Sequence, residues 1–138
     1  MRYYFIMKYT ISGLQQYMLI DLGLDCIDAL IIRYVYDFYT IGKMTLRTDR
    51  HGNKFFWMSY QKLLDDLPIL NMKKRALANR FKKYVEVGLL YSRIYHENKY
   101  KNQLGEIITR RGVYTYFSFD EERIQSLLNP LNMNNTEK

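Results

Sequence analysis

Between Ser59 and Gly88 the chain carries two helix-forming runs separated by a proline, and this spacing constrains the fold more than any other feature. Ser59 offers an N-cap for the run YQKLLDDL, and that helix must stop at or before Pro68, because the residue preceding a proline disfavours the α region. Asn71 is placed to cap the next helix, MKKRALANRFKKYVEV, which Gly88 closes as a residue at ease in left-handed backbone. On a wheel of about 100° per residue Leu77, Phe81, Tyr84 and Val85 lie together with Lys73 at their margin. Arg75, Asn79, Lys82, Lys83 and Glu86 take the opposite side, so the second helix has one apolar and one basic face.

The flanking segments supply strands and two further helical stretches. Residues 3 to 11, YYFIMKYTI, read as a short strand, after which Ser12 is expected to cap a helix carrying Leu14, Met18 and Leu19 up to Gly23. Asp25, with Asp28 three residues on, forms a capping pattern before Ile27, Leu30, Ile31, Tyr34, Val35 and Phe38, and Gly42 ends that helix. Ala29, Ile32, Tyr36 and Tyr39 make the helix apolar on its other side too, so it must be covered twice. The N-terminal segment of the same chain is the expected second cover, ahead of a second subunit. Gly52 and Asn53 mark the turn of a hairpin within KMTLRTDRHGNKFFWMS. A second hairpin pairs LLYSRIY with VYTYFSF and leaves HENKYKNQLGEIITRRG as a long polar tip. The run DEERIQSLLN then docks a helix through Ile124, Leu127 and Leu128 and stops at Pro130. With 138 residues and 48% hydrophobic content, the reading is one domain over residues 1–129 and a disordered tail over 130–138. The fold class is α+β: a winged helix-turn-helix with a small antiparallel sheet in which the second hairpin is the wing.

Charge is concentrated where that fold would meet a polyanion. Residues 73 to 111 hold eleven Lys or Arg against three acids, a net +8, whereas the remainder nets −1. A major groove about 12 Å wide admits one α-helix, and Arg and Asn are the side chains that pair bidentately with guanine and adenine. Arg75 and Asn79 are therefore the candidates for base reading, and Lys73, Lys74, Lys82 and Lys83 the candidates for phosphate contact. Lys99, Lys101, Arg110 and Arg111, assigned to the hairpin tip, form a second contact region for a minor groove or the adjacent backbone.

Other chemistries find little support. One cysteine, Cys26, rules out an intrachain disulfide, and its place beside Ile27 in a first helical turn suggests a packed thiol. His51 and His96 have no partners in sequence, and the adjacent Asp65 and Asp66 point about 100° apart on a helix, so no metal, cofactor or catalytic role is expected. There is no glycine-rich phosphate loop and no nucleophile motif, and the chain reads as a binding protein and not an enzyme. Trp57, Phe55, Phe56, Tyr114, Tyr116 and Phe117 invite a stacking platform for single strands, but a core beneath the sheet is the expected use of Trp57. No apolar run approaches the roughly 18 residues of a membrane span, so a cytoplasmic location away from membranes is expected.

The stretch from Leu22 to Leu90, with LGLDCIDALIIRYVYDF, FFWMSYQKLLDDLPIL and KKRALANRFKKYVEVGLL, resembles the N-terminal winged-helix domain of DnaD-like phage and plasmid replication proteins, the replisome organisers. The resemblance implies a winged-helix fold, double-stranded DNA as partner, and work in replication. Small winged-helix proteins of mobile elements, such as accessory factors of conjugative origins and excision factors, share these packing residues and extend the reading to DNA transfer. A second copy of the chain, or a protein of the replication or relaxosome machinery, is a further partner under this reading. A transcriptional repressor would make the same DNA contacts, and a protein-interaction module would turn the basic face to an acidic protein.

Overall fold

The computed structural model describes residues 8–101 and 103–130, with backbone alone at 97–101 and 108–111. Its elements run β1 (Thr10–Ile11), β2 (Leu14–Gln15), α1 (Gln16–Asp21), α2 (Cys26–Thr40), β3 (Thr45–Thr48), β4 (Lys54–Trp57), α3 (Tyr60–Asp66), α4 (Lys74–Glu86), β5 (Leu90–Lys101), β6 (Ile107–Phe119) and α5 (Glu121–Leu128). The fold is α+β, with two antiparallel sheets, β1-β2 and β3-β4-β6-β5. No helix among the described residues is long and apolar enough to cross a membrane.

Local chemistry accounts for most of the boundaries. The Asp25 carboxylate accepts the Asp28 N–H at 2.9 Å while the Asp28 carboxylate accepts the Asp25 N–H at 3.0 Å, a reciprocal cap that starts α2. Ser59 Oγ accepts from the Lys62 N–H at 3.1 Å and starts α3. Ser12 does not cap a helix. It sits at φ 52° beside Gly13 at φ 77°, and this pair of left-handed residues turns β1 into β2, delaying α1 to Gln16. Asn71 does not cap α4 either. Pro68 opens a 3-10 turn over Pro68–Leu70, Asn71 ends it in left-handed backbone at φ 48°, and Lys73 takes the N-cap position of α4 with no side-chain bond. Gly88, at φ 78°, closes α4 as its spacing indicates, with the Leu89 N–H returning to the Tyr84 carbonyl at 2.9 Å.

The second hairpin differs most from expectation. Pairing continues from Leu90↔Phe119 out to Lys101↔Ile107, so Lys99, Lys101, Arg110 and Arg111 occupy strand backbone and not a loop, and the described turn is 103–106. Cross-strand hydrogen bonding, favoured by the β-branched run Ile107-Ile108-Thr109, overrides a composition that reads as loop. A register shift between Tyr95 and Glu97 leaves Gly112 and Val113 opposite His96, and Gly112 meets it with φ 123°, which L side chains rarely adopt.

The main core lies between the helices and one face of the four-stranded sheet. Phe56 and Phe117, paired across β4 and β6, are buried there with Leu63, Leu77, Phe81, Tyr84 and Leu90. Helix α2 is covered on one side by the sheet, where Tyr36 and Tyr39 meet Phe119 at 5.8 and 5.9 Å. On another side α3 covers it, through Tyr34 Oη donating to Asp66 at 2.6 Å and Lys62 Nζ lying 5.4 Å from the Phe38 ring. Besides these two covers, β1, the described end of the expected N-terminal segment, also contacts α2, and Ile11 packs against the core. Residues 1–7 of the expected N-terminal strand, and residues 131–138 of the expected tail, lie outside the described residues. By the pleat, Phe55 and Tyr116 fall on the reverse face and are buried there under their own neighbours. The Arg93 guanidinium lies 4.9 Å from the Phe55 ring, Arg47 lies 4.1 Å from that of Tyr95, and Tyr95 meets Tyr116 edge-on at 5.0 Å. Trp57, half-buried, meets Tyr114 edge-on at 6.1 Å. The aromatic cluster is thus divided between two faces and engaged within the protein on both.

Candidate nucleic-acid interface

Helix α4 exposes Lys73 (its N-cap), Lys74, Arg75, Asn79 and Lys82, and buries Leu77, Phe81 and Tyr84. Its orientation is fixed by a charged cluster at the start of α2. Asp28 is 2% exposed, the one charged residue buried among the described residues. Its carboxylate accepts from Arg80 Nη1 at 2.8 Å and from Tyr84 Oη at 2.6 Å, and the same Arg80 nitrogen also donates to Asp25 at 3.1 Å. Burial pushes the Tyr84 phenol far up, and the bond to Asp28 adds to that shift. Burial works against both the Asp25 carboxylate and the Arg80 guanidinium. Even so, hydrogen bonds and mutual charge win, holding Asp25 below the usual carboxylate range and raising Arg80. A sequence cannot pair residues 52 and 56 positions apart. The available signal was weaker: Arg80 and Tyr84 stand one turn apart on a flank of α4.

The predicted basic face therefore divides. Lys83 is exposed but turned toward α1, its Nζ donating to the Gly23 carbonyl at 2.5 Å, and Arg80 faces α2. Arg75, Asn79 and Lys82 stay on the outward side, and Lys73 and Lys74 sit at its start. Beside that start, a cleft of about 700 Å³ separates the end of α3 from the first turn of α4, lined by Gln61, Asp65, Asn71, Lys73, Lys74 and Arg75. On the flank facing the sheet, a groove of about 250 Å³ runs between α4 and strands β5 and β6.

Several other expected residues take structural duties. Asp66 accepts from Tyr34 and Lys62, which hold it below the usual range, and Asp65 accepts from Gln61 at 2.7 Å. Cys26 is exposed in the first turn of α2 and is not packed, because the reciprocal cap directs Asp28 and Ala29 inward instead. Arg93, counted in the basic excess, is bonded to Asp49 at 3.4 Å; Asp49, which sequence reasoning passed over, also accepts the His51 and Asn53 N–H groups at 2.9 Å each. The side chains of Lys99, Lys101, Arg110 and Arg111 lie outside the described residues. Comparison with known protein families, curated proteins and solved structures finds no match for this chain.

Proposed function

We infer that the chain is a winged-helix protein that binds double-stranded DNA with sequence preference, serving the replication or DNA transfer of a phage or plasmid from the cytoplasm. The observation that carries this reading is α4: five outward cations and amides on a helix held against α2 by a buried carboxylate, preceded by α3 and a tight turn and followed at once by a long basic hairpin. In this reading α4 enters the major groove with Arg75 and Asn79 at base edges and Lys73, Lys74 and Lys82 at phosphates. The hairpin, as the wing, brings Lys99, Lys101, Arg110 and Arg111 to the neighbouring backbone. The replication assignment rests on the resemblance of residues 22–90 to DnaD-like proteins.

The testing experiment is a salt titration of duplex affinity, on both random DNA and a site selected from a random library. Each phosphate contact contributes a slope of about 0.9 in log affinity against log salt, so the affinity should fall steeply between low and physiological salt. Absence of binding at low salt, or binding indifferent to salt, overturns the reading in favour of a protein-facing basic surface.

A further inference from the structure

A helix is about 10–12 Å across with its side chains, close to the roughly 12 Å width of the major groove, so a helix lying in that groove has a DNA strand along each flank. The flanks of α4 differ. One is closed: Arg80 and Lys83 are turned to Asp28 and Gly23, and the Asp25 carboxylate, 58% exposed at that edge, repels a phosphate. The other is the groove of about 250 Å³, whose lining includes three small residues, Ala78 on α4 with Ser92 and Thr115 on the strands. Its floor is Phe81 and Phe117, both buried, Tyr60 and Val85 complete the apolar lining, and the residues lining it include one cation, Lys82, and no carboxylate. The Ser92 and Thr115 side chains are exposed, and their hydroxyls make no hydrogen bond among the described residues.

We propose that this groove seats one sugar–phosphate strand of the duplex, with the Ser92 and Thr115 hydroxyls and the Lys82 ammonium donating to its phosphate oxygens and Ala78 leaving room for the sugar. The proposal rests on the DNA-binding reading above and adds to it the residues that set how far α4 slides along its groove. Two free hydroxyls, a cation and an apolar floor without a carboxylate match a strand that alternates anionic phosphates with C–H-rich sugars.

The test uses the full chain and its selected duplex, with single phosphates replaced in turn by neutral methylphosphonates. Ser92→Ala combined with Thr115→Val should weaken binding about tenfold on selected and random duplexes alike, as expected for the loss of hydrogen bonds to a charged group, without changing the salt slope. The linkage whose neutralisation most weakens the wild type should have a clearly smaller effect in that double variant, where Lys82 alone still meets the phosphate. Ala78→Phe, which fills the groove, should reproduce the loss, and the exposed pair Ser92/Thr115 provides the same test should the bulky variant fail to fold. Wild-type affinity and an unchanged methylphosphonate pattern in the double variant, while Arg75→Ala still loses the selected site, overturn the groove and leave the DNA reading standing. A wild-type chain that binds no duplex overturns both.

Discussion

Three donors from two helices converge on the Asp28 carboxylate: the Asp25 N–H, the Arg80 guanidinium and the Tyr84 phenol. Removing the carboxylate strands the buried Tyr84 hydroxyl and leaves Arg80 with Asp25 alone, so Asp28→Ala should lower unfolding free energy by about 2–4 kcal/mol, and Tyr84→Phe by about 1–3 kcal/mol, in urea titrations. An effect of less than about 0.5 kcal/mol for Asp28→Ala would mean that α4 is held by packing alone. The cap between Asp25 and Asp28 was legible in the sequence; the capture of Arg80 was not, because its partner lies 52 residues away and no local pattern links the two. Outward residues divide by chemistry. Arg75→Ala and Asn79→Ala should each cost about 1–3 kcal/mol on the preferred duplex and little on random DNA, whereas Lys82→Ala should weaken both alike. Equal losses on both duplexes for Arg75→Ala would place α4 wrongly in the groove.

At the scale of elements, helices were easier to read than strands. The reason is visible at Ser59, Asp25 and Gly88, where a single side chain or a single glycine fixes an end. Ser12 and Asn71 are equally good caps on paper, yet both adopt left-handed backbone in turns whose geometry neighbours such as Gly13 and Pro68 impose. The hairpin tip was misread because lysines and arginines signal loops, whereas a ladder needs only a partner strand. This alters what is expected of the second hairpin. Arg110 and Arg111 are successive strand residues paired with Asn98 and Glu97, so they are placed by a ladder and not by a loop tip. Replacing both by Ala should weaken duplex binding and reduce the salt slope by about one, since successive strand residues take opposite faces, read by the same titration. Unchanged affinity would mean that the ribbon faces away from the DNA.

In the molecule as a whole, three phenols join the central helices. Tyr34 links α2 to α3, Tyr60 packs between α3 and α4 at 5.1 Å from Phe81, and Tyr84 links α4 to α2. Burial raises all three, with Tyr60 pushed up to about 12. The unfolded chain ionises its tyrosines near pH 10, so the folded state disfavours a proton loss that the unfolded state allows. Stability is therefore undiminished below pH 10 and falls as pH rises from 10 toward 12 and beyond. Tyrosinate absorbance and circular dichroism followed together should show the last phenols ionising only as the helices unfold. Ionisation of all 14 tyrosines near pH 10 with helicity intact would contradict this.

None of the described side chains between Tyr91 and Ile107, nor from Gly112 to Thr115, joins the principal core, and the ladder between β4 and β6 has its one registered pair at Phe56↔Phe117 among the described residues. The ribbon beyond that pair answers to different demands from the body that carries it. Arg93 and Tyr95 tie its base to Asp49 and Arg47 on the neighbouring hairpin, whereas farther out it can lengthen, shorten or change its charges over descent while the core keeps its packing.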